Sequence, residues 1–331
     1  MEGGDGHSGE ARAHVLVMAS RSDTHAAKKR PTNVQRKLQA AVAGIRGPVR
    51  FNAPLKEYTS FHIGGPADVL VEPADVDDVV RLVTQARAQK LPLFVVGGTN
   101  LLVRDKGIRG VVVSLAKLHA IKEEPGSVLF AEGGVGMPTL IGYAIRRSLA
   151  GLEWAAGIPG TVAGCVVMNA GTRLGEMKDS VKTVRMVSPE GALIEVPAAE
   201  IEFTYRRAKL PPGIVVGVRL QLKPGVRSDV EKVVKDYLHY RRDTQPLTLP
   251  SAGCVFKNPP NDSAGRVVEA AGLKGARVGD AQVSEKHANF IVNQGAATAK
   301  DVLALISKVR RQVARKTGVK LELELKLVGQ A

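Results

Sequence analysis

Residues 75–103 read DVDDVVRLVTQARAQKLPLFVVGGTNLLV, and two different periodicities follow one another within them. Val76, Val79, Val80, Val83 and Ala86 recur at helical spacing, which predicts an amphipathic helix over 75–90. Residues 91–96 form a short apolar run, the pattern of a buried strand. A helix therefore feeds a strand. Gly97, Gly98, Thr99 and Asn100 close that strand with a turn where glycine lets backbone N–H groups approach a phosphate, and Thr99 and Asn100 add donors. An ordinary tight turn accounts for the same four residues. The G-x-x-x-x-G-K-[ST] spacing is missing, as is G-x-G-x-x-G at a strand-to-helix junction, which argues against both P-loop and Rossmann phosphate sites.

Outward from this stretch, strands are expected at 110–115, 128–131, 181–188, 193–196 and 214–222, with a helix near 138–149. Beyond Pro224 longer helical patterns take over, at 229–241, 264–271 and 298–317. The expected class is α+β without a fixed repeat, in two domains spanning 48–223 and 224–331. Residues 1–47 show little periodicity and are expected to form a flexible extension, with one short helix near 34–45. The final run, 319–328, alternates strictly. Its pattern predicts a half-buried strand with Leu321, Leu323, Leu325 and Leu327 inward and Glu322, Glu324 and Lys326 on a solvated face.

A chain of 331 residues, 44% of them hydrophobic, is long enough for two cores. No run of 18 apolar residues and no signal-peptide core are present, and the two cysteines lack disulfide or C-x-x-C spacing. A cytoplasmic protein without membrane insertion or a metal site is expected. The formal charge is +15, with nine Lys/Arg against four Asp/Glu in residues 1–50 and the remaining excess spread along the chain. Basic clusters such as 28–30 and 308–311 are not interleaved with aromatics, so base-stacking platforms are not visible. Phosphate-bearing small molecules are the expected partners, and nucleic acid is not.

Three more stretches can carry chemistry. Residues 250–259, PSAGCVFKNP, set Cys254 after Ala252-Gly253, where a sharp turn would hold the sulfur; a lone cysteine is equally a small inert hydrophobe. Residues 151–171 crowd Gly and Ala behind the single Trp154, which suits either a ligand brought close to backbone or a packing loop. Tyr205-Arg206-Arg207 precedes a Pro-Pro turn.

Seven motifs in order extend this set: TSFHIGGPA (59–67), GTNLLV (98–103), AGIPGTV (156–162) with MNAG (168–171), Tyr205-Arg206, PSAGCVFKNP, AQVSEKHANF (281–290) and LELE (321–324). They resemble the UDP-N-acetylenolpyruvoylglucosamine reductase (MurB) family over nearly all of 52–329. The resemblance implies an FAD-binding domain of the vanillyl-alcohol-oxidase (PCMH) type, then a smaller α+β substrate-binding domain. The short span between Gly171 and Tyr205 is similar to the family's shorter subtype. It also implies an NADPH-dependent, FAD-mediated reduction of the enolpyruvyl group of a UDP-sugar, in peptidoglycan precursor synthesis, by a monomer.

By the same resemblance Cys254 stands at the proton donor's position, usually serine. Arg206 and Glu324 match the residues that hold charge at the substrate carboxylate. Tyr205, Asn258 and His287 match substrate contacts. Gly97, Gly98, Thr99 and Asn100, with Gly157, Ile158, Gly160, Thr161 and Gly164, fall where the family binds FAD. This chain departs at Val96 and Thr99, usually glycine and serine, at Thr172-Arg173-Leu174, usually Ala-Tyr-Gly, and at Thr244, where a diphosphate-binding lysine often stands. Another flavin oxidoreductase of the superfamily, or a sugar-nucleotide binding protein without activity, would not need Arg206, Cys254 and Glu324 together.

Overall fold

The computed structural model describes residues 32–97 and 99–331. Helix α1 (Asn33–Ala41) begins at a reciprocal cap between Thr32 and Gln35 and buries Leu38 and Ala41. Helix α2 (Val76–Ala88) starts where the 75–103 reading expects it. The Asp75 side chain accepts the Asp78 N–H, and Asp77 and Asp78 fill the first turn, where the helix dipole favours acids. It links two strands of a four-stranded sheet in which Val49–Pro54, Pro66–Val71, Ile108–Ser114 and Leu93–Val96 lie side by side. The last three run parallel, as a helical crossover requires.

A second, five-stranded sheet is antiparallel throughout, in the order Leu193–Pro197, Val181–Val187, Ile214–Gln221, Val128–Glu132, Ile121–Glu124. Helices α3 (Met137–Arg146) and α4 (Val162–Val167) pack with both sheets into one large core. The six-residue α4 lies inside the Gly/Ala-rich stretch, where so few residues carry no readable period.

Helix α5 (Arg227–Thr244) buries Val234 and Tyr237 in that same core. The packing of the first core thus continues past Pro224, where the change of domain is expected. A separate core forms around Phe256, Ile291, Leu305 and Val309, between helices α6 (Ala264–Ala270) and α7 (Ala299–Thr317) and a four-stranded antiparallel sheet. Phe61, Ile63 and Leu102 from the first half enter this second core.

Two expectations are corrected. The extension read as flexible through 47 forms a helix at Asn33–Ala41, near the short helix expected, and sets Leu38 and Ala41 into the first core, while residues 1–31 lie outside the described residues. Arg46 and Gly47 also donate to the fully buried Asp78 carboxylate, which the Ala74 N–H holds as well. Burial opposes that charge, yet these donors keep Asp78 below the usual carboxylate range. The run 319–328 is regular strand only at Lys326–Val328, which pairs parallel to Leu101–Val103 of the first half. Leu323 bridges Phe256, and Glu324 is partly buried instead of facing solvent.

Candidate functional site

Two glycine turns make one wall. Gly97 has φ 146° and its carbonyl accepts both the N–H (3.2 Å) and the hydroxyl (3.3 Å) of Thr161. A Cβ at Gly97 would lie 3.2 Å from that hydroxyl, so the turns approach closely only because glycine is there. Thr161 in turn caps α4 by accepting the Gly164 N–H. Gly160, at φ 102°, accepts the N–H of Met137 and so ties the second turn to α3. Gly98 lies outside the described residues.

The opposite wall is built on a bulge. Strand Ser251–Cys254 pairs with Phe290–Asn293, and the register slips between Ser251 and Cys254, where Gly253 takes φ 72°. Val255 follows, and its carbonyl accepts the N–H groups of Glu324 (2.9 Å) and Leu325 (3.3 Å). Cys254 and Glu324 are thereby fixed to one residue. The Asn289 side chain clamps Phe256 through both its N–H and its carbonyl. Two residues beyond Glu324, the Lys326 N–H donates to the Asn100 carbonyl at 2.8 Å, joining this wall to the first glycine turn.

Arg206 arrives from a third element, the tip of a hairpin between Glu202–Thr204 and Arg207–Lys209, in the left-handed region at φ 59°. Its Nε donates to Glu324 Oε1 at 2.9 Å. Holding a bulky residue at positive φ costs on the order of 1–3 kcal/mol, so the neighbours must impose it. Fully buried Asn169 is one of them: its amide donates to the Thr204 carbonyl and to Glu176. These walls enclose about 1000 Å³ of empty space, mouth included, lined by Asn100, Thr161, Arg206, Cys254 and Glu324 among others. Helix α5 adds Tyr237 and Arg241. A second, more apolar hollow lies across α4 and shares Asn100, Thr161, Gly164 and Met168 with the first.

The electrostatics distinguish the groups. Burial, and next the Glu324 charge, push the Cys254 thiol up to about 12, against Arg206, Arg241 and a hydrogen bond from Asn289. Burial raises Glu324, while Arg206 and Lys257 draw it back. Burial lowers Arg241, whose buried Nε has no hydrogen-bond partner among the described residues. A Cβ at Gly157, φ 71°, would sit 2.9 Å from that same Nε.

Residues 245–328 match the family model described as "UDP-N-acetylenolpyruvoylglucosamine reductase, C-terminal domain", and residues 67–197 match "FAD binding domain". A UDP-N-acetylenolpyruvoylglucosamine reductase 2 of Symbiobacterium thermophilum is 48% identical over 286 residues, covering 86% of this chain and 93% of the relative. The chain belongs to the UDP-N-acetylenolpyruvoylglucosamine reductase (MurB) family. The enzyme of that name from an Anaeromyxobacter species is 46% identical over 288 residues, covering 86% and 90% of the two chains. The MurB crystal structure from Thermus caldophilus superposes with a TM-score of 0.73 at 39% identity, over 86% of this chain and 99% of that one.

FAD is the MurB cofactor, and the residues present fit it. Paired glycine turns bring backbone to the cavity's edge, and among the described residues nothing lies within 4 Å of where a Cβ on Gly253 would be and the buried Arg241 Nε lacks an acceptor. Of the sequence-assigned FAD residues, Gly97 faces the second hollow, Thr99, Ile158 and Gly160 the first, and Asn100, Thr161 and Gly164 both. Gly157 lies off the cavity and makes room for Arg241. Tyr205, half exposed, stacks beside Arg206 at 4.9 Å without lining the cavity. Asn258 and His287 do not line it either. The Asn258 side chain accepts the Ala264 N–H at the start of α6, and His287 Nδ1 accepts the Asn289 N–H. Sequence reasoning missed Arg241, Asn169 and Asn289. The last two stood inside quoted motifs, whereas nothing local set Arg241 apart from its charged neighbours.

Proposed function

We propose that this chain uses NADPH and bound FAD to reduce the enolpyruvyl group of UDP-N-acetylglucosamine enolpyruvate to UDP-N-acetylmuramate, with Cys254 as the proton donor. The observation that carries this assignment is the meeting of Arg206, Cys254 and Glu324 on one cavity, from three elements far apart in the chain. FAD, when bound, supplies the hydride that it takes from NADPH to the outer carbon of the double bond.

The residues handle the charge and the proton. Negative charge develops towards the substrate carboxylate as the double bond is reduced, and Arg206 offers its fixed fork of donors there. Glu324, raised by burial, can carry a proton when the carboxylate takes its place on Arg206. Cys254 then protonates the inner carbon. A thiol near 12 is loaded with its proton at neutral pH, and Arg206 and Arg241 favour the thiolate left behind. The bulge at Gly253 and the Val255 link to Glu324 hold the thiol in register with the charge-stabilising pair.

The proposed reading places the enzyme in the cytoplasm as a monomer, a compartment that suits two cysteines without disulfide spacing. Among the described residues no helix is long and apolar enough to cross a membrane. An anaerobic titration tests the reaction: NADPH should bleach the flavin, and the enolpyruvyl UDP-sugar should restore its colour. A flavin that stays bleached on addition of the sugar nucleotide would overturn the assignment.

A further inference from the structure

Resting on the reaction proposed above, we infer that Arg173 holds the diphosphate of the nucleotide-sugar substrate at the mouth of the cavity. Thr172, which lines the cavity, and Gly175 pair across a two-residue turn, and Arg173 is at its tip. The turn is kept in place by the Thr172 hydroxyl, which donates to the Trp154 carbonyl and accepts the Leu174 N–H. The guanidinium lies over the Tyr240 ring at 4.4 Å and within 5.9 Å of the Tyr237 ring. Those rings stack at 5.8 Å and 18°, and Tyr237 lines the cavity. The shelf restrains the guanidinium while no other described residue engages its donors, which suits bidentate binding of phosphate oxygens.

Other cations nearby are committed elsewhere. Arg206 is engaged with Glu324, and the half-buried Arg241 lies against Gly157. Arg242 turns to His239, and Lys286 donates to the Arg242 carbonyl. The acids closest to Arg173 in sequence are also taken: Glu176 by Lys178 and Asn169, Asp179 by the Glu176 N–H. Thr244, one turn beyond Tyr240 on the same face of α5, has its hydroxyl bonded back to the Tyr240 carbonyl. The helix end thus offers no cation at that position, and the hairpin does. A substrate whose carboxylate reaches Arg206 and Glu324 has its sugar and diphosphate extending outward to this mouth.

The test is Arg173→Gln in the FAD-loaded protein, read by the two anaerobic half-reactions. The expected result is a KM for the enolpyruvyl UDP-sugar raised on the order of 10- to 100-fold, the loss of a charge-assisted hydrogen-bonded pair. The rate and NADPH dependence of flavin bleaching should match the parent. Thr244→Lys added to Arg173→Gln should recover part of the loss, because a lysine there reaches past Tyr240 from the helix side. Tyr240→Leu, which removes the shelf and keeps the charge, should give a smaller rise. An unchanged KM for the sugar nucleotide, or a loss confined to the NADPH step, would overturn the inference. A parent protein whose flavin the sugar nucleotide cannot reoxidise would instead overturn the proposed reaction.

Discussion

Two cysteines face the same cavity from different walls, Cys165 from α4 and Cys254 from the bulged strand after Gly253. Burial pushes both thiols up to about 12, so acidity alone does not tell them apart. Their neighbours do. Around Cys165 burial is the whole cause, and its α4 neighbours Val162 and Val166 belong to the core. Around Cys254 stand Glu324, Arg206, Arg241 and the Asn289 amide. A proton donor must be protonated before the step and tolerated as an anion after it. Cys254 alone has cations beside it, so the thiolate's surroundings mark the donor better than the thiol's pKa.

The comparison breaks most readily with paired substitutions. Cys254→Ala should slow flavin reoxidation by the UDP-sugar by a factor of about 10² to 10⁴, the range for a lost general acid, while NADPH reduces the flavin at the parent rate. Cys254→Ser should keep much more activity. Cys165→Ala should leave both half-reactions alone, and stopped-flow traces in which it slows reoxidation as much as Cys254→Ala would erase the distinction. Next in size, Glu324→Gln should slow only the same half-reaction, by about 10², because it removes an ionisable group beside Cys254 and none beside Cys165.

A smaller effect sharpens the role of the second arginine. Gly157→Ala puts a side chain at φ 71° and 2.9 Å from the Arg241 Nε, so it should cost about 1–2 kcal/mol of stability and displace Arg241. Urea denaturation measures the first effect, and a faster loss of FAD on dilution measures the second. Unaltered FAD retention would remove Arg241 from the cofactor's surroundings. The smallest effect is in pH dependence. Cys165 has an ordinary value of 9.0 when exposed and about 12 when folded, so its neutral form is what the fold favours. Its stabilisation is complete below pH 9 and is lost as pH rises towards 12. Between pH 9 and 10 the parent should lose about 1 kcal/mol more than Cys165→Ala. Equal slopes for the two proteins would mean that Cys165 is not held neutral by burial.

Local patterns were legible in proportion to their length. Helices α2 and α7 carry long apolar stripes and side-chain caps, Asp75 on Asp78 and Thr298 on Asp301, and both lie where the periodicity expects them. The six residues of α4 have no such stripe. An amphipathic face says that a helix is buried and not against what, which is why α5 and α1 were separated from the core they join.

The candidate site divides in the same way. The family and the residue types at each key position can be read from the amino acids alone, because seven motifs in order leave little freedom, and so can the glycines of the turns. How those residues work together follows from the fold. The Glu324 N–H and the Cys254 strand meet on the Val255 carbonyl, Arg206 reaches Glu324 from a hairpin tip, and Arg241 presses on Gly157. It also turned Glu324 from the solvated face that alternation predicts into a partly buried acid. The reason is physical: alternation records which side of a strand faces its own sheet, whereas burial and pKa depend on elements brought against the other side from distant parts of the chain.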